Sequence, residues 1–196
     1  MKIYHVPGTR SMRPLWLCYE LGVTVEVVKI DYAATYRDSP EWRAISPAGK
    51  VPILEDGELR IFESGAMVEY ILDKERDGTL RPAMDSPHRP IYNQWCWYSE
   101  ATLSRPMGLY QLTRATAGGD DIAQSTRDKV NTCMQVVEDE LADKKFLLGD
   151  EFSAADIMMG YTLYMLNNIK LLAPDFERSI EYMQQLTERP AFQKTL

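Results

Sequence analysis

A proline inside an otherwise β-prone run is the feature that most constrains this chain. Residues 49–64 read Gly-Lys-Val-Pro-Ile-Leu-Glu-Asp-Gly-Glu-Leu-Arg-Ile-Phe-Glu-Ser. Val51 to Leu54 and Leu59 to Phe62 are the strand-forming runs, Asp56-Gly57 is the signal of a tight hairpin, and a helix is expected to open at Glu63-Ser64. Pro52 cannot donate to a ladder and is out of place in an ordinary strand. A Val51–Pro52 bond at that position can be cis, which leaves the Val51 backbone facing outward and able to pair with another molecule.

The segments before the hairpin set its context. Lys2 to Val6 alternates and predicts a first strand, broken by Pro7-Gly8. Ser11 or a neighbour opens a helix to about Leu21, stopped by Gly22, with Leu15, Trp16, Cys18, Tyr19 and Leu21 as its apolar face. Val23 to Ile30 is rich in β-branched residues and predicts a second strand. Joined through a helix, the two strands should be parallel. Ser39-Pro40 predicts a short helix, with Ser39 as cap and Pro40 in the first turn. Ser64 to about Glu75 predicts another helix. The order defines a compact α/β unit with a mixed sheet over residues 1–77.

Gly78, Pro82, Pro87 and Pro90 fall among charged and small residues, and residues 78–86 are expected to be a linker. Residues 87–196 predict an all-α domain. Its first helix runs from Ile91 to Ala115 and is expected to bend at Pro106-Met-Gly108. Gly118-Gly119 breaks the pattern before a helix over Asp121 to Lys144, with Val130, Cys133, Met134, Val137 and Leu141 at helical spacing. Two more helices are expected over Ser153–Leu172 and Pro174–Arg189. In Phe152-Ser153-Ala-Ala-Asp156-Ile157 the Ser and Asp have the spacing of an acidic capping box, and Phe152 and Ile157 that of a hydrophobic staple.

Composition narrows the function classes. Of 196 residues 45% are hydrophobic and 26% charged, as in a soluble globular protein. The net charge of −7 comes without a dense Lys/Arg block, which argues against nucleic acid or anionic membrane as a partner. No apolar run approaches the roughly 20 residues of a membrane span. The N-terminus lacks a signal-peptide stretch, so a cytoplasmic location is expected. Three widely spaced cysteines and two histidines offer neither a disulfide framework nor a metal site of usual spacing, so no metal is expected.

A small α/β unit of this order, with a proline before its third strand, resembles the thioredoxin fold. Where a disulfide oxidoreductase carries Cys-x-x-Cys, this chain has Gly8-Thr9-Arg10-Ser11, which excludes dithiol exchange there. A hydroxyl and a guanidinium at a helix N-terminus can still stabilise the thiolate of another molecule. Three motifs extend the likeness to the whole chain: Thr9-Arg10-Ser11-Met-Arg13, Lys50-Val51-Pro52 with Glu63-Ser64, and Ser153-x-x-Asp156. In this order the chain resembles a cytosolic glutathione S-transferase of bacterial type, with an α/β thioredoxin-like N-terminal domain followed by an all-α helical C-terminal domain.

The resemblance implies a transferase of detoxification that activates the glutathione thiol for attack on a small hydrophobic electrophile. Peroxidase or isomerase side activity is also implied. Glutathione would be the co-substrate and a homodimer the assembly. Glu63 and Ser64 match the pair that holds the γ-glutamyl end, Val51 the residue whose main chain meets the cysteinyl unit, and Pro52 the cis-proline. Lys50 would lie near the glycyl carboxylate, or is a solvated lysine before a strand. Ser11, Thr9 and Arg10 are the candidates for thiol activation, with Ser11 either a thiolate donor or the helix N-cap. Tyr98, Leu103, Met107 and Tyr110 are either core or the wall of an electrophile pocket. The other class of function is a non-catalytic binding or regulatory protein of the same fold.

Overall fold

The computed structural model describes residues 1–31, 33–75, 78–113 and 120–196. The expected helix end at Ala115, the Gly118-Gly119 break and the domain end at Asp77 lie outside these residues. Contacts divide the chain into two compact units, Met1–Asp77 with Arg189–Leu196, and Gly78–Glu188.

In the first unit β1 (Lys2–His5) is followed by α1 (Met12–Glu20), β2 (Glu26–Lys29), α2 (Ala34–Arg37), α3 (Pro40–Ile45), β3 (Ile53–Asp56), β4 (Leu59–Phe62) and α4 (Ser64–Glu75). The sheet order is β2-β1-β3-β4. β1 and β2 are parallel, as a crossover through a helix requires, and both other pairings are antiparallel. Tyr4, Trp42, Val51 and Ile53 form a buried cluster on one face, with Tyr4 edge-on to Trp42 at 5.7 Å. Ile3 and Leu54 pair across the sheet and are fully buried; by strand alternation they belong to the other face.

Three local expectations shift. The first hairpin strand begins at Ile53 rather than Val51, because the residues around Pro52 do not join the ladder. Asp56 pairs with Leu59, so the two turn residues are Gly57 and Glu58. Gly57 has φ 61°, which suits the first position of a type II′ turn. α2 was not expected; four residues without an apolar period leave little signal. Ser39 caps α3 as expected, accepting from the Trp42 N–H at 3.2 Å.

The second unit contains α5 (Arg89–Trp97), a π-helical segment (Tyr98–Leu103), α6 (Ser104–Thr113), α7 (Asp120–Glu140), α8 (Ala154–Asn168) and α9 (Glu177–Thr187). The expected bend at Pro106–Gly108 is instead a widened turn just ahead of it. A helical proline crowds the carbonyl four residues earlier, here Thr102, and the wider turn relieves that contact. The Ser104 hydroxyl donates to the Ser99 carbonyl at 2.8 Å, satisfying an acceptor in the widened turn. α7 ends at Glu140, four residues before the expected Lys144. Among the described residues no helix is long and apolar enough to cross a membrane.

Two buried carboxylates tie the helices together. Asp156 sits at the start of α8 and accepts from Ser153 N, Ser153 Oγ, Leu147 N and Tyr182 OH at 2.6–2.9 Å. Burial pushes its carboxyl up and these four donors limit the rise. Glu138 on α7 caps α9 from outside, accepting from Arg178 N, Ser179 N and Ser179 Oγ at 2.7–3.0 Å. Burial alone would raise the Glu138 carboxyl, but the Ser179 and Arg178 hydrogen bonds prevail and hold it below its usual range.

A folded-state value below the unfolded one stabilises the fold above the unfolded pKa of about 4.3. That contribution disappears as pH falls through the folded value. The melting temperature of the protein is therefore expected to fall more steeply below about pH 4.3 than that of Glu138→Gln. Parallel acid profiles would remove this carboxylate from the account.

Residues 189–196, at the end of the chain, pack with the first unit. Arg189 forms a bidentate pair with Glu20 at 2.6 and 2.8 Å. Phe192, on α10 (Pro190–Gln193), is fully buried edge-on to Trp16 at 5.0 Å. Pairing and burial of these residues hold the end of the chain on α1.

Candidate active site

Strand register places the candidate residues of the first unit at one end of the sheet. Tyr4, Ile53 and Phe62 are partners across β1, β3 and β4. The chain leaving β1 after Tyr4, the chain entering β3 at Ile53 and the chain leaving β4 after Phe62 therefore emerge at the same end. That brings together the loop 6–11, the segment Lys50–Pro52 and the pair Glu63-Ser64. α1 and α4 both begin there, so two sets of helix N-terminal N–H groups converge on one region, a setting suited to anions.

The Val51–Pro52 bond is cis, and Val51 lies outside the β1–β3 ladder. Ser46 shapes the approach to it: Lys50 N donates to Ser46 Oγ at 2.9 Å, and Ser46 Oγ donates to Lys50 O at 2.8 Å. The Lys50 side chain is exposed. Glu63 is exposed with φ 75°, a left-handed conformation that costs a non-glycine residue about 1–2 kcal/mol. It turns the chain from β4 into α4, and Ser64 comes next, buried. Arg13, fully buried on α1, donates to Ser64 Oγ at 3.2 Å.

The three candidates for thiol activation are not equivalent. Ser11 stands at the N-cap position of α1, yet its side chain makes no capping bond. It is 0% exposed and turned inward instead. Four polar atoms surround its Oγ: Thr9 Oγ1 at 2.8 Å, His5 Nδ1 at 2.9 Å, Val6 O at 3.0 Å and Val6 N at 3.1 Å. A hydroxyl has one proton and two lone pairs, so this environment saturates it. Thr9 is half-buried and donates to Val6 O at 2.7 Å; Arg10 is half-buried beside it.

The four candidate pocket residues lie in the helical unit. Leu103 and Met107 are buried. Tyr98 is half-buried, donates to the Cys133 carbonyl at 3.0 Å and stacks edge-on with Trp95. Burial first, then the Cys133 neighbour, pushes its phenol up to about 12. Tyr110 is half-buried and accepts from Arg127 at 3.0 Å. Cys18 is a core residue whose thiol burial pushes up to about 12, which leaves it unreactive at neutral pH.

Sequence reasoning missed the placement of Arg13, Ser46 and His5. The signal for Arg13 was a charged residue on the otherwise apolar start of a helix. His5 sits on a strand with alternate positions apolar, and only the folded loop reveals its bond to Ser11.

A mixed four-stranded sheet of order β2-β1-β3-β4 with a cis-proline ahead of β3, together with a helical unit, defines the thioredoxin-like class of fold. Comparison with known proteins makes the assignment specific. The glutathione S-transferase N-terminal domain matches residues 1–73, and the glutathione S-transferase C-terminal domain matches residues 111–192. The chain belongs to the glutathione S-transferase family. Glutathione S-transferase F12 of Arabidopsis thaliana is 26% identical over 210 residues, covering 100% of this chain and 97% of the relative. A glutathione S-transferase structure from Actinobacillus pleuropneumoniae is 26% identical with a TM-score of 0.84, covering 99% of this chain and 90% of that one. A ternary complex of the bacterial transferase BphK is 25% identical with a TM-score of 0.86, covering 100% and 98%.

Proposed function

We propose that the protein is a glutathione transferase that ionises the glutathione thiol at the Thr9 loop and directs the thiolate to a small hydrophobic electrophile. The observation that carries this reading is the convergence of Thr9-Arg10, Val51-Pro52 and Glu63-Ser64 at one end of the sheet, where α1 and α4 begin. Glu63 takes the γ-glutamyl ammonium. Ser64 and the α4 N-terminus take the adjacent carboxylate. The Val51 main chain pairs with the cysteinyl unit, and exposed Lys50 meets the glycyl carboxylate.

Magnitudes favour the reading. A free thiol with a pKa of about 8.5 is only a few per cent ionised at neutral pH. Lowering that value by two units needs about 2.7 kcal/mol of preference for the anion. One hydrogen bond to an anion supplies about 1.5–3 kcal/mol and a helix N-terminus about 0.3–1 kcal/mol more. Sulfur then forms a bond to the electrophilic carbon, and the leaving group departs with its bonding electrons. Of the four helical-unit candidates, half-buried Tyr98 and Tyr110 are the ones a solute can meet, while Leu103 and Met107 serve the core. A homodimer accompanies this reading, consistent with exposed Phe62 in the first unit and exposed Trp97 in the second; a monomer mass by sedimentation would rule it out.

Calorimetric binding of glutathione, a thiolate absorbance in the complex at neutral pH and turnover of an activated aryl halide test the proposal together. Absence of heat at millimolar glutathione would sink it. Ser64→Ala should weaken glutathione binding roughly 10- to 100-fold, because a hydrogen bond to a carboxylate is lost and Arg13 loses its acceptor. An unchanged dissociation constant would move the γ-glutamyl site elsewhere.

A further inference from the structure

His5 is almost fully buried at the end of β1, and its ring meets two groups, Ser11 Oγ through Nδ1 at 2.9 Å and the Thr195 backbone. The Thr195 N–H already donates to Phe192 O at 2.8 Å, which leaves its carbonyl to receive a ring N–H. In the neutral tautomer with the proton on the other ring nitrogen, which would face the Thr195 backbone, Nδ1 is an acceptor. Ser11 gives its single proton to that nitrogen and accepts from Val6 N at 3.1 Å. The Val6 carbonyl is then served by the Thr9 hydroxyl at 2.7 Å.

This arrangement holds only while Thr9 points inward. When the Thr9 hydroxyl turns to donate to a thiolate, the Val6 carbonyl loses that donor. Ser11 Oγ is 3.0 Å from the same carbonyl and can replace it. Ser11 then no longer donates to His5, and the 2.9 Å contact is kept only if Nδ1 itself carries a proton. The three changes are coupled because each hydroxyl has one hydrogen to place.

Resting on the glutathione reading of the site, we infer that His5 is the proton-holding end of a hydroxyl chain, so that ionisation of the bound thiol is accompanied by protonation of His5 Nδ1. The S–H bond breaks and its electron pair stays on sulfur. Thr9 swings its proton from the Val6 carbonyl to Ser11 Oγ, 2.8 Å away, and passes it on as it receives the thiol proton, while Ser11 passes its own to His5. Each hydroxyl gains one proton and loses one, and the ring becomes an imidazolium held by Ser11 Oγ and Thr195 O. After the sulfur charge is consumed in the new carbon–sulfur bond, the proton returns along the same chain to the departed leaving-group anion or to solvent water. Burial and, more weakly, the charge of Lys29 on β2 disfavour imidazolium in the free protein, while the Thr195 bond favours it. Burial thus favours the neutral ring in the free protein, and an anion at the other end of the chain is what would draw the proton in.

The test monitors the His5 ring by NMR in His88→Gln protein, where it is the single histidine, with glutathione and with S-methylglutathione, which has no thiol proton. At a pH where the bound thiol is ionised, the glutathione complex should carry the imidazolium signature and the S-methylglutathione complex should not. His5→Gln, whose amide extends past the Nδ1 position, should raise the bound thiol's pKa by about one unit and lower kcat about tenfold with the glutathione KM unchanged. His5→Asn, which can place an amide near Nδ1, should restore part of both. An identical neutral ring in the two complexes while the thiol is ionised would overturn the inference and leave the glutathione site intact. If glutathione does not bind, or its thiol stays protonated, the site reading falls and the inference with it. The ring signatures decide the matter without a His5 variant if His5→Gln fails to fold.

Discussion

Thr9→Val is expected to raise the pKa of the bound glutathione thiol by about one to two units and to lower kcat at neutral pH roughly 10- to 100-fold. Valine keeps the β-branched shape and removes only the hydroxyl, so the affinity for glutathione should stay close to that of the unchanged protein. The basis is accessibility. Thr9 is half-buried at the end of the loop, whereas Ser11 is sealed from solvent and has four polar neighbours. Ser11→Ala should act through the chain behind Thr9 and cost less, about tenfold. Thiolate absorbance against pH in both variants is the measurement. A larger shift in Ser11→Ala than in Thr9→Val would return the activating role to the buried hydroxyl, and no shift in either would move it to Arg10 or to backbone N–H groups.

Asp156→Ala is expected to destabilise the protein by about 3–5 kcal/mol. From the spacing of a capping box alone a loss of about 1 kcal/mol would be expected. The larger figure comes from Leu147 N and Tyr182 OH, which use the same carboxylate as the two Ser153 groups. Alanine would leave four buried donors without their acceptor, and each such donor costs about 1–3 kcal/mol before the structure relaxes. Denaturant unfolding of Asp156→Ala, Tyr182→Phe and the double variant measures this. The double variant should lose less than the sum, since removing the phenol removes one of the stranded donors. Strict additivity would show that the Tyr182 bond contributes nothing, and a stable Asp156→Ala protein without activity would contradict a purely structural role.

Much of the fold was legible because its signals are local. Gly22 ends α1, Ser39 caps α3, and β-branched runs mark the strands, each through the backbone preferences of a few adjacent residues. The boundaries that moved were set by distant partners. Pro52 delayed the strand to Ile53, where the first ladder partner is Tyr4. Pro106 was recognised as a disturbance, but the helix absorbed it one turn earlier, with Ser104 supplying a donor to the Ser99 carbonyl. Arg189 to Leu196 read as the tail of a helical domain, and nothing in that stretch announces that Glu20 and Trp16 are its partners.

The residues themselves supply the side chains of the proposed glutathione site: a hydroxyl and a guanidinium after the first strand, a proline ahead of the third, and an acid-hydroxyl pair ahead of a helix. Those are properties of short segments, and segment order carries them to one end of a sheet. Tertiary structure distinguishes Thr9 from Ser11 by burial and polar neighbours, and the activating role proposed for Thr9 rests on that difference. The two carry the same functional group two residues apart. Only the fold surrounds one of them with His5 and both polar groups of Val6, and leaves the other half-buried.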